Sequence, residues 1–99
     1  MGDLGDPNLN GLDANQPLGE RALSKLRWRC RRGLLENDLF IERFFNRHAD
    51  TLTVGQARGL YELMALSDNA LLDVLLGRSE PPPSAHPTQL NAVLRLLKP

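Results

Sequence analysis

The chain has 99 residues, which suits one domain with a modest core and leaves little room for a catalytic cleft between layers. Twelve basic and twelve acidic residues give a formal net charge of zero, so the overall charge does not indicate a polyanionic partner. A single cysteine cannot form an internal disulfide, and no apolar run approaches the roughly 20 residues that would span a bilayer. We therefore expect a soluble, cytoplasmic, bacterial protein without direct membrane insertion.

The apolar composition favours helices over strands. Leucine occurs 21 times, whereas valine and isoleucine together occur only four times. Strands are rich in β-branched and aromatic residues, while leucine is well tolerated in helices. The sequence therefore predicts an all-α fold, a compact bundle of about five short helices.

The first 19 residues are rich in Gly, Asn, Asp and Pro, and they predict a disordered N-terminal tail. Residues 20–99 are predicted to form a single helical domain. Its first helix should run from about Glu20 to Arg32, because Gly33 stands where a glycine commonly follows a helix end. The second should begin near Glu36–Asp38 and end near Ala49. Its predicted core stripe is Phe40, Ile41, Phe44 and Phe45.

Polar residues mark the starts of the remaining helices. Thr53 and Gln56 have the spacing of a capping box, which predicts a third helix to about Leu66. Asp68 is the expected cap of a short fourth helix that stops at Gly77. The proline-rich residues 78–87 are predicted to connect it to a last helix capped by Thr88. The core stripes of the third and last helices are Ala57, Leu60, Tyr61, Leu63 and Met64, and Leu90, Val93, Leu94 and Leu97.

The first predicted helix concentrates basic charge around the single tryptophan. Residues 20–32 hold six basic residues against one acid. At 100° per residue, Leu23, Leu26 and Cys30 share one core-facing sector, and Trp28 falls on the charged face. Arginine stems could cover the indole, or the ring could pack beneath another helix. Alternatively, an exposed tryptophan rimmed by arginines has the composition of a protein-binding hot spot.

Residues 25–45, KLRWRCRRGLLENDLFIERFF, resemble the start of the SdhE family, also called YgfY-like. That family has an aromatic residue, a basic stretch, an R-G-x-x-E motif followed by an acid, and a Phe-Phe pair. The matching residues here are Trp28, Arg31, Arg32, Gly33, Glu36, Asp38, Phe44 and Phe45. The resemblance continues through residues 49–77. It departs from the family at Val74, where a tryptophan is common, in the long N-terminus and in the proline-rich connector.

The resemblance implies a five-helix bundle that acts as an assembly factor. Such proteins promote covalent attachment of FAD to a histidine of the flavoprotein subunit of succinate dehydrogenase and, in some bacteria, of fumarate reductase. It implies that Arg32, Gly33 and Glu36 face this client protein, with Trp28, Arg31 and Asp38 as neighbours on the same surface. The FAD belongs to the client, so no stably bound cofactor or metal is expected. The family has also been described as a CptB-type antitoxin, which is the alternative function.

The residues themselves predict a binding protein and not an enzyme. His48 follows the apolar side of the second helix and is expected to be packed, and His86 lies in the connector without a neighbouring acid or nucleophile. Nucleic-acid binding by the basic helix is a less favoured alternative, because the acids Glu36, Asp38 and Glu42 follow at once and repel phosphates. We expect a monomer that binds its client one to one.

Overall fold

The computed structural model describes residues 11–31, 34–84 and 86–98. These residues form five α-helices: α1 (Glu20–Arg29), α2 (Leu35–His48), α3 (Val54–Met64), α4 (Asp68–Leu75) and α5 (Pro87–Leu97), with a 3-10 turn at Ala49–Thr51. Within the described ranges, β-type pairing is limited to one isolated bridge between Pro17 and Thr53. The predicted all-α bundle of about five short helices is confirmed.

The core is centred on α3, which is buried along most of its length. Its predicted stripe is buried, and so are Val54, Gly55 and Gly59. The predicted stripe of α5 is also buried, and α5 packs closely on α3. A Cβ atom at Gly59 would lie 2.9 Å from the carbonyl oxygen of Gln89 and 3.0 Å from the Cα of Leu90. The glycine therefore permits the close approach of these two helices.

The apolar stripes predicted for α1 and α2 also face the core. Leu26 and Cys30 are fully buried, and Leu23 packs against the core from its edge. On α2, Ile41, Phe44 and Phe45 are buried and Phe40 is half-buried. The rings of Phe44 and Phe45 meet edge to face with centroids 5.3 Å apart, an arrangement favoured by the ring quadrupoles.

The capping predictions are confirmed for α3 and corrected for α4 and α5. Thr53 Oγ1 accepts the backbone N–H of Gln56 at 3.2 Å, and Gln56 Oε1 accepts that of Thr53 at 3.0 Å. The cap of α4 is Ser67, not Asp68, because the Ser67 hydroxyl accepts the N–H of Ala70. Helix α5 already begins at Pro87, so Thr88 lies inside it. Proline suits a first helical position because it has no N–H to leave unpaired.

Helix ends shift by a few residues from their predicted places. Helix α1 ends at Arg29 and not at Arg32, with Cys30 as its C-cap, and α2 already begins at Leu35. Gly77 does terminate α4, with a φ of 78°. The N–H of Arg78 donates to the carbonyl of Asp73 at 2.8 Å, which is the bond expected after a left-handed glycine.

Residues 12–18, here called the N-terminal strap, lie against the start of α3. The carbonyls of Gln16 and Ala14 accept the N–H groups of Val54 and Gly55, both at 2.9 Å. The guanidinium of Arg58 donates to the carbonyl of Leu12 at 2.8 Å. Together with Thr53, the strap satisfies the first three N–H groups of α3, which have no partner within the helix. Residues 12–18 of the expected N-terminal tail thus make defined contacts with α3, while residues 1–10 lie outside the described residues.

Deleting residues 1–18 is expected to lower the free energy of unfolding by about 1–3 kcal/mol, because two helix N–H groups lose their protein acceptors. Urea denaturation followed by circular dichroism measures the change. Deleting residues 1–10 alone is the matched control and should have a much smaller effect, since the strap remains. Equal stability of both deletion variants would contradict a stabilising role for the strap.

Candidate functional site

A surface groove lies between residues 24–31, at and beyond the second half of α1, and residues 38–45 of α2, and we call it the first groove. Its volume is about 610 Å³. Three residues of its lining, Cys30, Ile41 and Phe45, are buried and belong to the core. The other lining residues are Ser24, Arg27, Trp28, Arg31, Asp38 and Glu42. The groove therefore combines an apolar floor with polar and charged walls.

Trp28 is the most prominent apolar side chain of the first groove. It is 72% exposed, so it does not pack beneath another helix. The guanidinium of Arg31 lies 5.2 Å from the indole centroid, within the range of a cation–π contact, yet most of the ring stays open to solvent. The predicted position of the tryptophan on the charged face of α1 is confirmed. Such a rigid, amphipathic side chain beside arginines is typical of interface anchors.

The two sides of the first groove carry opposite charge. Arg27 and Arg31 lie on the α1 side, and Asp38 and Glu42 on the α2 side. This placement fits the helix dipoles, since α1 ends and α2 begins at the groove. Arg27 also lies over the ring of Phe45, with its guanidinium 5.1 Å from the centroid. A surface of mixed sign suits polar contacts with a protein better than a phosphate backbone.

The structure brings together three of the six predicted site residues, Trp28, Arg31 and Asp38. Glu36 is exposed in the first turn of α2 but lines a different groove. Arg32 and Gly33 lie outside the described residues.

The sequence interpretation missed Arg27 and Glu42 as members of the first groove. Each stands four residues from a predicted site residue, Arg31 and Asp38 respectively. Residues four apart on a helix share a face. This helical spacing is the signal that could have identified both.

A second groove separates α2 from α4 and has a volume of about 900 Å³. Its lining consists of Glu36, Leu39, Phe40, Glu42, Arg43, Asn46, Arg47, Leu72, Leu76 and Arg78. Glu42 lines both grooves, so the two adjoin each other at α2. This groove could not be predicted from the sequence, because it depends on where α4 packs.

The two histidines, considered above as possible catalytic residues, have positions that a structural role explains. The ring of His48 is half-buried with its centroid 5.4 Å from that of Phe44, as expected for a packed histidine. His86 is exposed, and its backbone N–H donates to Ser84 Oγ at 2.8 Å. In the described part of the chain, no group of three His, Cys, Asp or Glu side chains could hold a metal ion. Nor is any helix there long and apolar enough to cross a membrane.

Comparison with known proteins shows the family of this chain. Residues 24–98 match the family model described as the flavinator of succinate dehydrogenase, a match that includes every described residue of the first groove. The chain belongs to this family. The matched residues extend from the middle of α1 to the end of α5, so the match covers most of the bundle but not the N-terminal strap.

Three bacterial relatives, each named FAD assembly factor SdhE, illustrate the similarity. The protein from Ralstonia nicotianae is 47% identical over 75 residues, which are 76% of this chain and 79% of the relative. That from Coxiella burnetii is 39% identical over 67 residues, 68% of this chain and 78% of the relative. That from Legionella pneumophila strain Paris is 38% identical over 64 residues, 65% of this chain and 81% of the relative. No solved structure matches the chain.

Proposed function

We propose that this chain is an assembly factor that binds the flavoprotein subunit of succinate dehydrogenase and promotes covalent attachment of FAD to it. The observation that carries the proposal is the family match over residues 24–98, since the family is described as the flavinator of that enzyme. The relatives' shared name, FAD assembly factor, agrees with it. By contrast, these names give no support to the antitoxin alternative.

In this proposal the chain supplies binding and not chemistry. The reacting groups are the client's FAD and the client's histidine, and the chain holds no cofactor of its own. Binding a client in the geometry in which its two reacting groups are aligned lowers the barrier, because the entropy cost of alignment is met before the reaction. We further propose that the chain acts in the bacterial cytoplasm as a monomer in a one-to-one complex, and that fumarate reductase is a second client.

The first groove is the proposed client-binding surface. The exposed indole of Trp28 would insert into an apolar depression of the client, while Arg31 and Asp38 would form charge-assisted hydrogen bonds at its edge. The motif that the sequence shares with the family adds Glu36, which lines the second groove, to the residues proposed to bind the client. Arg32 and Gly33 belong to the same motif and lie outside the described residues. Nucleic acid is the disfavoured ligand, because Asp38 and Glu42 face the same groove as the arginines.

Glu36→Ala is expected to weaken binding of the client flavoprotein about tenfold or more, the effect of losing a hydrogen bond to a charged group at an interface. Co-purification and titration with the purified flavoprotein subunit measure the loss. Glu20→Ala is the matched control, because Glu20 is also an exposed glutamate in the first turn of a helix. If the two variants bind the client equally well, Glu36 is not part of the interface.

A further inference from the structure

An exposed apolar strip runs along the second groove, and none of its residues lines the first groove. Leu39 on α2 is 58% exposed and Leu76 at the end of α4 is 44% exposed. Phe40 and Leu72 are half-buried between them and complete the lining. Leu35 is also exposed, one helical turn before Leu39 on the same side of α2. Leucines that remain open to water along a groove between two helices indicate a site that another apolar surface covers.

Charges at the two ends give the second groove a direction. The side chain of Asn37 is fully buried and donates to the carbonyl of Asp68 at 2.8 Å, so α2 and α4 begin at the same end of the groove. Glu36 marks that end. Arg47, near the end of α2, and Arg78, just beyond α4, mark the other. The groove therefore runs from an acidic to a basic end.

We propose that the second groove binds an amphipathic helical segment of the client flavoprotein. The apolar face of this segment would lie on Leu39 and Leu76, an acidic side chain would meet Arg47 and Arg78, and a basic one would meet Glu36. A helix laid in an apolar groove is a common mode of recognition, with its anchors three to four residues apart. This inference rests on the proposed function, since it names a second contact of the same client.

The charges along the groove are balanced. Arg43 and Arg47 stand against Glu36 and Glu42, and Arg78 lies 3.6 Å from the carboxylate of Asp73. A bound segment therefore needs opposite charges at its two ends and no net charge. Position favours the client over a second copy of this chain, because α2 contributes to both grooves and Glu42 lines both. A protein seated at Trp28 can therefore reach the second groove across a single helix.

A double substitution tests the proposal with the full chain and the purified client flavoprotein subunit. Replacing Leu39 and Leu76 together by serine is expected to weaken client binding about tenfold or more. It should also lower the yield of covalent flavin when this protein is present in less than the amount of the client. The fold should persist, because neither leucine belongs to the buried core. Leu12→Ser with Leu96→Ser is the matched control, since both of these leucines are 36% exposed and lie outside the groove. A photo-crosslinker at position 39 should label an amphipathic helix of the client.

The possible outcomes separate this proposal from the proposed function. If wild type promotes covalent flavin and the Leu39/Leu76 variant binds like its control, the groove proposal is overturned alone. If wild type neither binds the client nor raises covalent flavin, the proposed function fails and the groove proposal with it. If sedimentation shows a wild-type dimer that the Leu39/Leu76 substitutions dissociate, the groove binds a second copy and the proposal is overturned.

Discussion

Replacing Trp28 by alanine is expected to weaken client binding roughly 30-fold or more, corresponding to about 2 kcal/mol of binding free energy. The reason is geometric: the indole is 72% exposed beside Arg31, so most of its apolar surface is available to a partner. The same exposure means that the substitution removes little from the core. The free energy of unfolding should change by no more than about 0.5 kcal/mol, as for an ordinary surface position.

Isothermal titration with the client flavoprotein subunit measures the loss at Trp28, and urea denaturation checks stability. Trp28→Phe is the conservative companion variant and should retain part of the affinity, because an aromatic ring remains at the same place. Leu96→Ala provides a control for removing an exposed apolar side chain elsewhere. Wild-type affinity in Trp28→Ala would contradict the role of the first groove. A large loss of stability would instead show that the indole supports the fold.

Phe44→Ala is expected to lower the free energy of unfolding by about 3–5 kcal/mol. Phe44 is fully buried near the middle of α2, where its ring contacts those of Phe45 and His48. Truncation removes the apolar surface of the ring and leaves a cavity that the packed helices fill only in part. Since α2 forms one side of both grooves, the loss should also broaden the thermal transition of the isolated chain and reduce its affinity for the client.

Phe40→Ala is the control for Phe44→Ala, because both rings lie on α2 one turn apart. Phe40 is half-buried at the second groove, with the guanidinium of Arg43 5.6 Å from its ring centroid, so its removal opens no closed cavity. We expect Phe40→Ala to lower the free energy of unfolding by less than half as much as Phe44→Ala. Chemical denaturation of both variants under the same conditions measures the difference. Equal costs would contradict the assignment of Phe44 to the centre of the core.

Local patterns in the sequence predicted the bundle well, because each rests on the geometry of a single helix. Leucines and aromatics three and four residues apart identified the buried faces of α2, α3 and α5. The capping box of Thr53 and Gln56 needs only residues of one turn, and it is present. The position of Trp28 on the charged face also followed from its angle on α1, whereas its exposure is seen only in the structure. The predicted cap of α4, Asp68, was wrong, because Ser67, one residue earlier, is the cap.

Features that depend on distant residues or on the backbone could not be predicted in this way. The strap binds α3 through the carbonyls of Ala14 and Gln16, and every residue type has a carbonyl. Asn37 looks like a polar residue of a helix start, yet its partner is the carbonyl of Asp68, 31 residues away. The second groove arises only when α4 packs beside α2. Long-range packing of this kind leaves no periodic signal in the sequence.

Both grooves of the proposed assembly factor are lined by residues of α2. On one flank of the helix, Asp38 shares the first groove with Trp28 and Arg31, and the sequence had already identified all three. The other flank presents an apolar strip that only the fold assembles. Phe44 and its neighbours fix the helix between them. A client that contacts both flanks would be held in one orientation, which is what alignment of its own reacting groups requires.

The central claim is tested most directly by flavin fluorescence of the succinate dehydrogenase flavoprotein subunit after denaturing gel electrophoresis. Denaturation removes FAD that is not covalently attached, so the remaining signal reports the bond. The subunit would be produced in cells lacking this protein and complemented with wild type, Trp28→Ala or Gly33→Arg. We predict a signal restored by wild type and strongly reduced in both variants, provided each is folded. Equal fluorescence in every strain, including the one without the protein, would contradict the account.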